Sequence, residues 1–234
     1  DELIARHVQR YGPHSAQDLG MYTDNNTQKW PRLPLRITDQ ASLKQWIDGY
    51  DVAIRYVDDQ IAKIVGKLKA AGVYEDTAII ISADHGENQG ELGIYGEHGT
   101  ADAGTCHIPM VIKWPGGASG VVDDGFHYNV DWAPTCMELL GSDTPAPELW
   151  DGTSYAPTVL TGSGPGRDEL IVSQCCHVCQ RSVRFDKWMY VRTYCDGFHP
   201  FEQEMLFDLD ADPLEQTDLA GDRPDIVREG AHRL

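Results

Sequence analysis

The chain predicts an α/β fold with a small antiparallel sheet toward its C-terminus, and three patterns carry that prediction. Ala78-Ile79-Ile80-Ile81 is a short, fully apolar run without helical period, the mark of a strand buried on both faces as in the core of a parallel sheet. Pro109-Met110-Val111-Ile112-Lys113-Trp114 is a second core-strand run, stopped by Pro115-Gly116-Gly117. Beyond Gly162-Ser163-Gly164-Pro165-Gly166, strand-like runs at 170–174, 182–186, 188–193 and 205–209 follow one another with no long helix between them, which favours a small antiparallel sheet. The predicted division falls at this Gly-rich stretch, with residues 1–162 in the α/β part and 163–234 in the small-sheet subdomain.

The remaining elements follow in order. Residues 1–37 carry Gly12-Pro13, Asn25-Asn26, Pro31 and Pro34 without a clear period, so they are expected to be irregular and packed over another part of a larger domain. Leu43, Trp46, Ile47, Tyr50, Ile54, Val57, Ile61, Ile64, Val65 and Leu68 then step by three and four, predicting a long helix with one buried stripe. Ser42 or Asp39 can cap its start, and Gly72 can end it. Adjacent helical residues point about 100° apart, so Asp58 and Asp59 read as surface charge rather than a catalytic pair. A Gly-rich loop of roughly 24 residues follows the first strand, and loops of that length within compact domains are functional or disordered. Asp131 as N-cap, Pro134 in the first turn and Gly141 past the end predict a short helix over 131–140. Asp151-Gly152-Thr153-Ser154 begins a turn and a further short helix to Leu160. Asp210-Ala211-Asp212-Pro213 breaks the last strand, and the end from Pro224 is weakly helical.

At 234 residues, with 41% hydrophobic content, the chain can bury a sizeable core. No apolar run reaches membrane-spanning length. The start, Asp1-Glu2-Leu3-Ile4-Ala5-Arg6, has neither an initiator Met nor a signal-peptide pattern, which reads as a mature, trimmed or partial chain. The net charge of −18 opposes non-specific binding of nucleic acid or anionic membrane, because the long-range field repels polyanions. An anionic small substrate is compatible with it only where local cations or a metal overcome that field. The six cysteines, Cys106, Cys136, Cys175, Cys176, Cys179 and Cys195, form no dense framework. Cys175-Cys176-His177-Val178-Cys179 invites a zinc reading, but four ligands are needed and only Cys195 and His199 could complete the set. Buried free thiols are the preferred reading, with a disulfide and zinc as alternatives; the compartment stays open.

The chemistry concentrates at the end of the first strand. Asp84 and His85 fall at its carboxyl end, where open α/β sheets place ligands. Asp offers hard oxygen and His borderline nitrogen, together half of a divalent metal site. Gly86 is expected to permit a sharp turn there through positive φ. Gly96-Glu97-His98-Gly99-Thr100-Ala101-Asp102 follows within the same loop. Glu87, Glu91 and Glu97 are expected to be solvated charge, and His107, just before a strand, to be structural. His177 and His199 belong to the small subdomain.

Tyr50-Asp51-Val52-Ala53-Ile54-Arg55-Tyr56-Val57-Asp58-Asp59-Gln60, Ser82-Ala83-Asp84-His85-Gly86-Glu87, Ile108-Pro109-Met110-Val111-Ile112 and Trp114-Pro115-Gly116 resemble the sulfatases of the alkaline phosphatase superfamily. So do Val130-Asp131-Trp132-Ala133-Pro134-Thr135, Asp151-Gly152-Thr153-Ser154 and Leu206-Phe207-Asp208-Leu209-Asp210-Ala211-Asp212-Pro213-Leu214-Glu215-Gln216, in the family's order. The resemblance implies an alkaline phosphatase-like mixed sheet flanked by helices, here its later part, followed by a small four-stranded antiparallel domain. It implies hydrolysis of sulfate esters, with sulfated carbohydrate as the leading substrate and close relatives cleaving phosphate or phosphonate esters. Asp84 and His85 match the family's later pair of metal ligands, for which calcium is the default and manganese, magnesium or zinc the alternatives. The family nucleophile is a formylglycine made from Cys in a Cys/Ser-x-Pro-x-Arg motif. Cys106-His107-Ile108-Pro109 and Ser154-Tyr155-Ala156-Pro157 have the wrong spacing for it, so the chain is expected to be the later part of a sulfatase and inactive alone. Many members carry a Lys about a dozen residues before the Arg-Val-Pro strand start; the corresponding place here holds His98, which can bind the sulfate oxygens or protonate the leaving oxygen. The alternatives are a phosphodiester or phosphonate monoester hydrolase on the same scaffold, and a non-catalytic binding relative that lost the nucleophile.

Overall fold

The computed structural model describes residues 2–5, 37–142, 150–175, 178–197, 199 and 201–234. Residues 6–36, Cys176 and His177 lie outside the described residues, while 2–5 are helical rather than irregular. No helix among the described residues is long and apolar enough to cross a membrane. The chain divides into two compact units: one comprises residues up to 66, 83–108 and 171–234, the other 67–82 and 109–170.

Helix α1 spans Gln40–Ala70. Both expected caps act together: Asp39 Oδ1 accepts the Ser42 N–H (2.7 Å), and Ser42 Oγ accepts the N–H groups of Thr38 (3.0 Å) and Asp39 (3.1 Å). Gly72, at φ 71°, ends the helix as Val73 N–H returns to Leu68 O (3.1 Å). The apolar stripe is not buried as expected; no residue of α1 is, and Ile54, Val57 and Ile64 lie more than half exposed. The first turns find a packing surface, where Leu43 and Trp46 meet Tyr95, Ile37 and Ile4, and Ile61, Val65 and Leu68 toward the other end are half-buried. Periodicity locates a helix; burial needs a facing surface, which the described residues do not provide at Ile54, Val57 and Ile64.

In the second unit, β1 (Ile79–Ser82) and β2 (Met110–Lys113) form a two-stranded sheet. They pair antiparallel, Ile79 opposite Lys113 and Ser82 opposite Met110, which corrects the parallel-core expectation. An apolar run encodes two faces seeking cover but carries no strand direction, and here Ile80 and Val111 remain exposed. Lys113 Nζ closes the turn before β1 by donating to the carbonyls of Tyr74 (2.8 Å), Glu75 (3.1 Å) and Thr77 (3.2 Å). In this unit too, Asp131 precedes helix α3 (Trp132–Leu139), at the N-cap position expected. Its carboxylate makes no cap to α3. Instead it accepts from Arg167 Nε (3.1 Å) and Nη2 (2.5 Å), from Thr153 N–H (2.7 Å) and from Tyr128 N–H (2.8 Å). Thr135 Oγ1 accepts the Tyr155 N–H (3.0 Å) just ahead of helix α4, Ala156–Thr161. The 130–135 and 151–154 motifs are thus two sides of one knot around a carboxylate 1% exposed.

The first unit carries the four-stranded sheet: β3 (Glu169–Cys175, mostly in this unit), β4 (Cys179–Phe185), β5 (Trp188–Cys195) and β6 (Glu204–Asp208), in that spatial order. The β4–β5 and β5–β6 ladders are antiparallel, as the short, closely spaced runs predict. Alternation along β5 sorts its side chains to two faces. Tyr190 packs with Val183, Phe185, Leu206 and the inner side of helix α5, Pro224–Arg233, through Ile226, Val227 and Ala231. Met189 and Val191 pack with Met205, Phe207 and two residues of the long loop, Leu92 and Ile94. That loop is therefore neither disordered nor superficial; both of these side chains are fully buried.

Candidate active site

Residues 88–97 form a tight hairpin, and this local register assembles the site. Gln89 bridges Tyr95, Asn88 N–H donates to Glu97 O (2.8 Å), Gly96 N–H donates to Asn88 O (2.8 Å), and the turn closes through Gly90 N–H to Ile94 O (2.8 Å). One step beyond the paired residues, Glu87 stands across from His98. The base of the hairpin is locked by a buried polar network. Asn88 Nδ2 donates to Asp102 Oδ2 (2.8 Å), Thr105 Oγ1 donates to Asn88 Oδ1 (2.8 Å), and Asp102 Oδ2 also accepts the Thr105 N–H (3.2 Å) that starts helix α2, Ala103–Cys106.

Two glycines shape the entry and exit. Gly86 is not in the left-handed region, correcting the positive-φ expectation. It donates its N–H to Thr105 O (2.8 Å), and a Cβ there would sit inside the contact radius of the Gly104 carbonyl oxygen. Its role is close backbone approach. Gly86→Ala is expected to cost about 1–3 kcal/mol and to displace His85 and Glu87, read as a lower Tm together with weaker metal binding. Gly96 does adopt φ +70°, and a Cβ would strike the Trp46 indole, whose Nε1 donates to Gln89 Oε1 (2.8 Å).

The candidate side chains His85, Glu87 and His98 gather at the hairpin base. Asp84 is largely exposed, its Oδ1 accepting the His85 N–H (3.1 Å) and its Oδ2 lying 3.7 Å from His85 Nε2. His85 Nδ1 lies 2.7 Å from Gly86 O. A carbonyl can only accept, so Nδ1 is the donor in that bond, and Nε2 is the ring nitrogen on the Asp84 side. The His98 ring stacks on His85 with centroids 3.7 Å apart, and its Nδ1 lies 3.7 Å from Glu87 Oε2. One donor atom each from His85, Glu87 and His98 lies within 4.8 Å of the others. Ligands on opposite sides of a cation bound at about 2.0–2.4 Å are separated by twice that length, so this spacing fits a divalent ion.

The expectation of solvated glutamates is corrected at Glu97, which is 4% exposed with an oxygen 3.2 Å from the equally buried His199 Nε2. Glu91 accepts the Gln89 N–H, and Glu87 faces His98. A lone glutamate after a glycine carries no signal of this placement beside His98 until the hairpin register is known. His107 is exposed and closes α2 through its N–H to Ala103 O (2.9 Å). Asp59 pairs with Arg55 on the exposed face of α1, as surface charge should.

The late motif braces the loop from the C-terminal side. Gln216 Nε2 donates to Gly90 O (2.9 Å), Ala103 N–H donates to Glu215 Oε1 (3.4 Å), and Gln180 Oε1 in β4 accepts the Ala101 N–H (3.1 Å). Burial, and then the neighbouring Asp102, push the Glu215 carboxyl well above its ordinary value.

The mixed α/β content with a small four-stranded antiparallel sheet is that of the alkaline phosphatase-like fold class. The Sulfatase family model matches residues 6–142, and the chain belongs to that family. It is 32% identical over 181 residues, 74% of its length, to the choline-sulfatase of Rhizobium meliloti. The chain spans about a third of the length of the curated relatives it matches. Among solved structures, a 2-O GAG sulfatase aligns over 99% of this chain and 47% of its own at a TM-score of 0.72 and 20% identity. The phosphonate monoester hydrolase of Agrobacterium radiobacter aligns over 82% and 41% at a TM-score of 0.64 and 27% identity.

Proposed function

We propose that the intact protein is a sulfuric ester hydrolase acting on a sulfated carbohydrate, with Asp84 and His85 as metal ligands and His98 as the catalytic histidine. The observation that supports this most is His85 Nδ1 held 2.7 Å from Gly86 O, which leaves Nε2 to ligate beside Asp84 Oδ2. A bound divalent cation supplies orientation and polarisation of the sulfate oxygens. Asp84 and Glu87 offer oxygen, which suits calcium, the family default; engagement of both imidazoles instead favours manganese or zinc. His98, stacked beside His85 and flanked by Glu87, stands to deliver a proton to the leaving alcohol oxygen. Residues 163–234 are taken as the small domain that braces the hairpin. Ser163-Gly164-Pro165-Gly166-Arg167 meets the letters of the nucleophile motif, but its Arg167 is committed to the buried Asp131 carboxylate, so this stretch is not assigned as the nucleophile and the chain alone is expected to show no turnover.

The similarity to a phosphonate monoester hydrolase favours that activity as the second reading. Parallel turnover assays on the intact enzyme separate the two. Faster hydrolysis of an aryl sulfate than of an aryl phosphonate monoester is the expected result, followed by release of sulfate from a sulfated sugar in preference to choline sulfate. The reverse order in the first comparison overturns the sulfatase assignment; the reverse in the second overturns the sugar.

A further inference from the structure

The β3–β4 hairpin ends in a pair of thiols outside the candidate active site. Cys175, the last residue of β3, and Cys179, the first of β4, place their sulfurs 3.0 Å apart, as free thiols. Cys175 is exposed and Cys179 half-buried, so the preferred reading of buried thiols does not hold here. Cys195, also exposed, stands opposite Cys179 in the β4–β5 register. Cys106 is different in kind: burial pushes its thiol up to about 12, which leaves it unreactive.

We propose that Cys175 and Cys179 are a redox dithiol that closes to an intramolecular disulfide by exchange with a low-molecular-weight disulfide. Closing the bond from the present separation takes a movement of about 1 Å. The Cys175 thiolate attacks one sulfur of the small disulfide and expels the first small thiol. Cys179 loses its proton to solvent, and its thiolate then attacks the Cys175 sulfur of the mixed disulfide and expels the second. One protein S–S bond forms, the small molecule's S–S bond is lost, and its two sulfurs take up the two electrons as thiols. Cys179 is the resolving partner because its hydrogen bond with Cys175 and its partial burial hold its proton on.

The bond has a line of action on the loop. Gln174, next to Cys175, donates from Nε2 to the His98 carbonyl (3.2 Å) and accepts the Cys175 N–H on Oε1 (3.1 Å). Closing the hairpin end therefore stiffens the residue that holds the His98 backbone. That consequence concerns the loop's mobility and does not depend on the activity assigned to His98.

The test uses the intact protein in a Cys176→Ser background, so that the peptide carrying residues 175 and 179 has only these two thiols. After incubation with oxidised glutathione, that peptide is expected to lose two hydrogens in mass and to resist alkylation, with reversal by a thiol reductant. Adding Cys179→Ser should instead trap the glutathione adduct at Cys175, whereas adding Cys195→Ser should change nothing. Amide exchange over residues 96–100 is expected to slow on oxidation and to be unaffected in the Cys179→Ser protein. Thiols that stay alkylatable, a persistent glutathione adduct with Cys179 present, or zinc retained by both sulfurs in elemental analysis overturns the dithiol. A disulfide that forms without any change in exchange overturns its link to the loop.

Discussion

With Asp84 as a ligand, as proposed, Asp84→Ala in the intact protein is expected to weaken retention of a divalent cation by more than about 100-fold, since losses outside the ligand shell alone reach about 10–100-fold. The fold should survive, because the Asp84 side chain is 89% exposed and its removal strands no buried group. His98→Ala is expected to separate from it. Loss of a positioned general acid lowers kcat by about 10²–10⁴-fold, or about 3–5 kcal/mol of barrier, while cation content stays close to wild type. Elemental analysis and turnover measured on the same preparations read both effects. If His98 serves as a ligand rather than a proton donor, cation content and kcat fall together in His98→Ala, and the division of labour drawn above is wrong. Unchanged cation content in Asp84→Ala removes the metal assignment itself.

Asp131→Ala is expected to destabilise the protein by about 3 kcal/mol without touching the site. The substitution takes the carboxylate from Arg167, which keeps its longer bonds to Asp151 O and Thr153 Oγ1 (both 3.3 Å), and leaves the Thr153 and Tyr128 N–H groups without their acceptor. Burial opposes ionisation of Asp131, but Arg167 and the two backbone donors outweigh it and hold the carboxyl below its ordinary value. A carboxyl lowered in the folded state contributes stability above its unfolded value of about 3.9 and loses it as pH falls through the folded value. The denaturant midpoint should therefore drop below about pH 4 in the wild type, and Asp131→Asn should flatten that acid limb. An equally steep limb in Asp131→Asn would show that other carboxylates carry it.

How far these features can be read from the residues depends on whether they are local. The caps at Asp39, Ser42 and Gly72, the four closely spaced strands after residue 168 and the turn before α4 are set by neighbours within a few positions, and all appear where the pattern places them. The apolar stripe of α1 and the Ile-rich β1 announce surfaces that seek cover, yet neither names the surface, so burial and strand direction were misjudged together. Glu87 shows the limit. Beside Asp84 and His85 it looks like one more solvated acid, and only the folded hairpin, in which Asn88 N–H bonds Glu97 O, brings it opposite His98.

By itself, then, the chain's order of residues determined the family, the element types and the identity of the chemical groups at the strand end, because propensity, capping and motif order are written in short stretches. Tertiary structure alone decided that Gly86 is needed for backbone contact with Gly104, that Asp131 anchors Arg167 instead of capping α3, and that Glu97 is buried against His199. Each of these joins residues between 18 and 102 positions apart, and the free energy of such a contact exists only once the intervening chain has folded to bring them together.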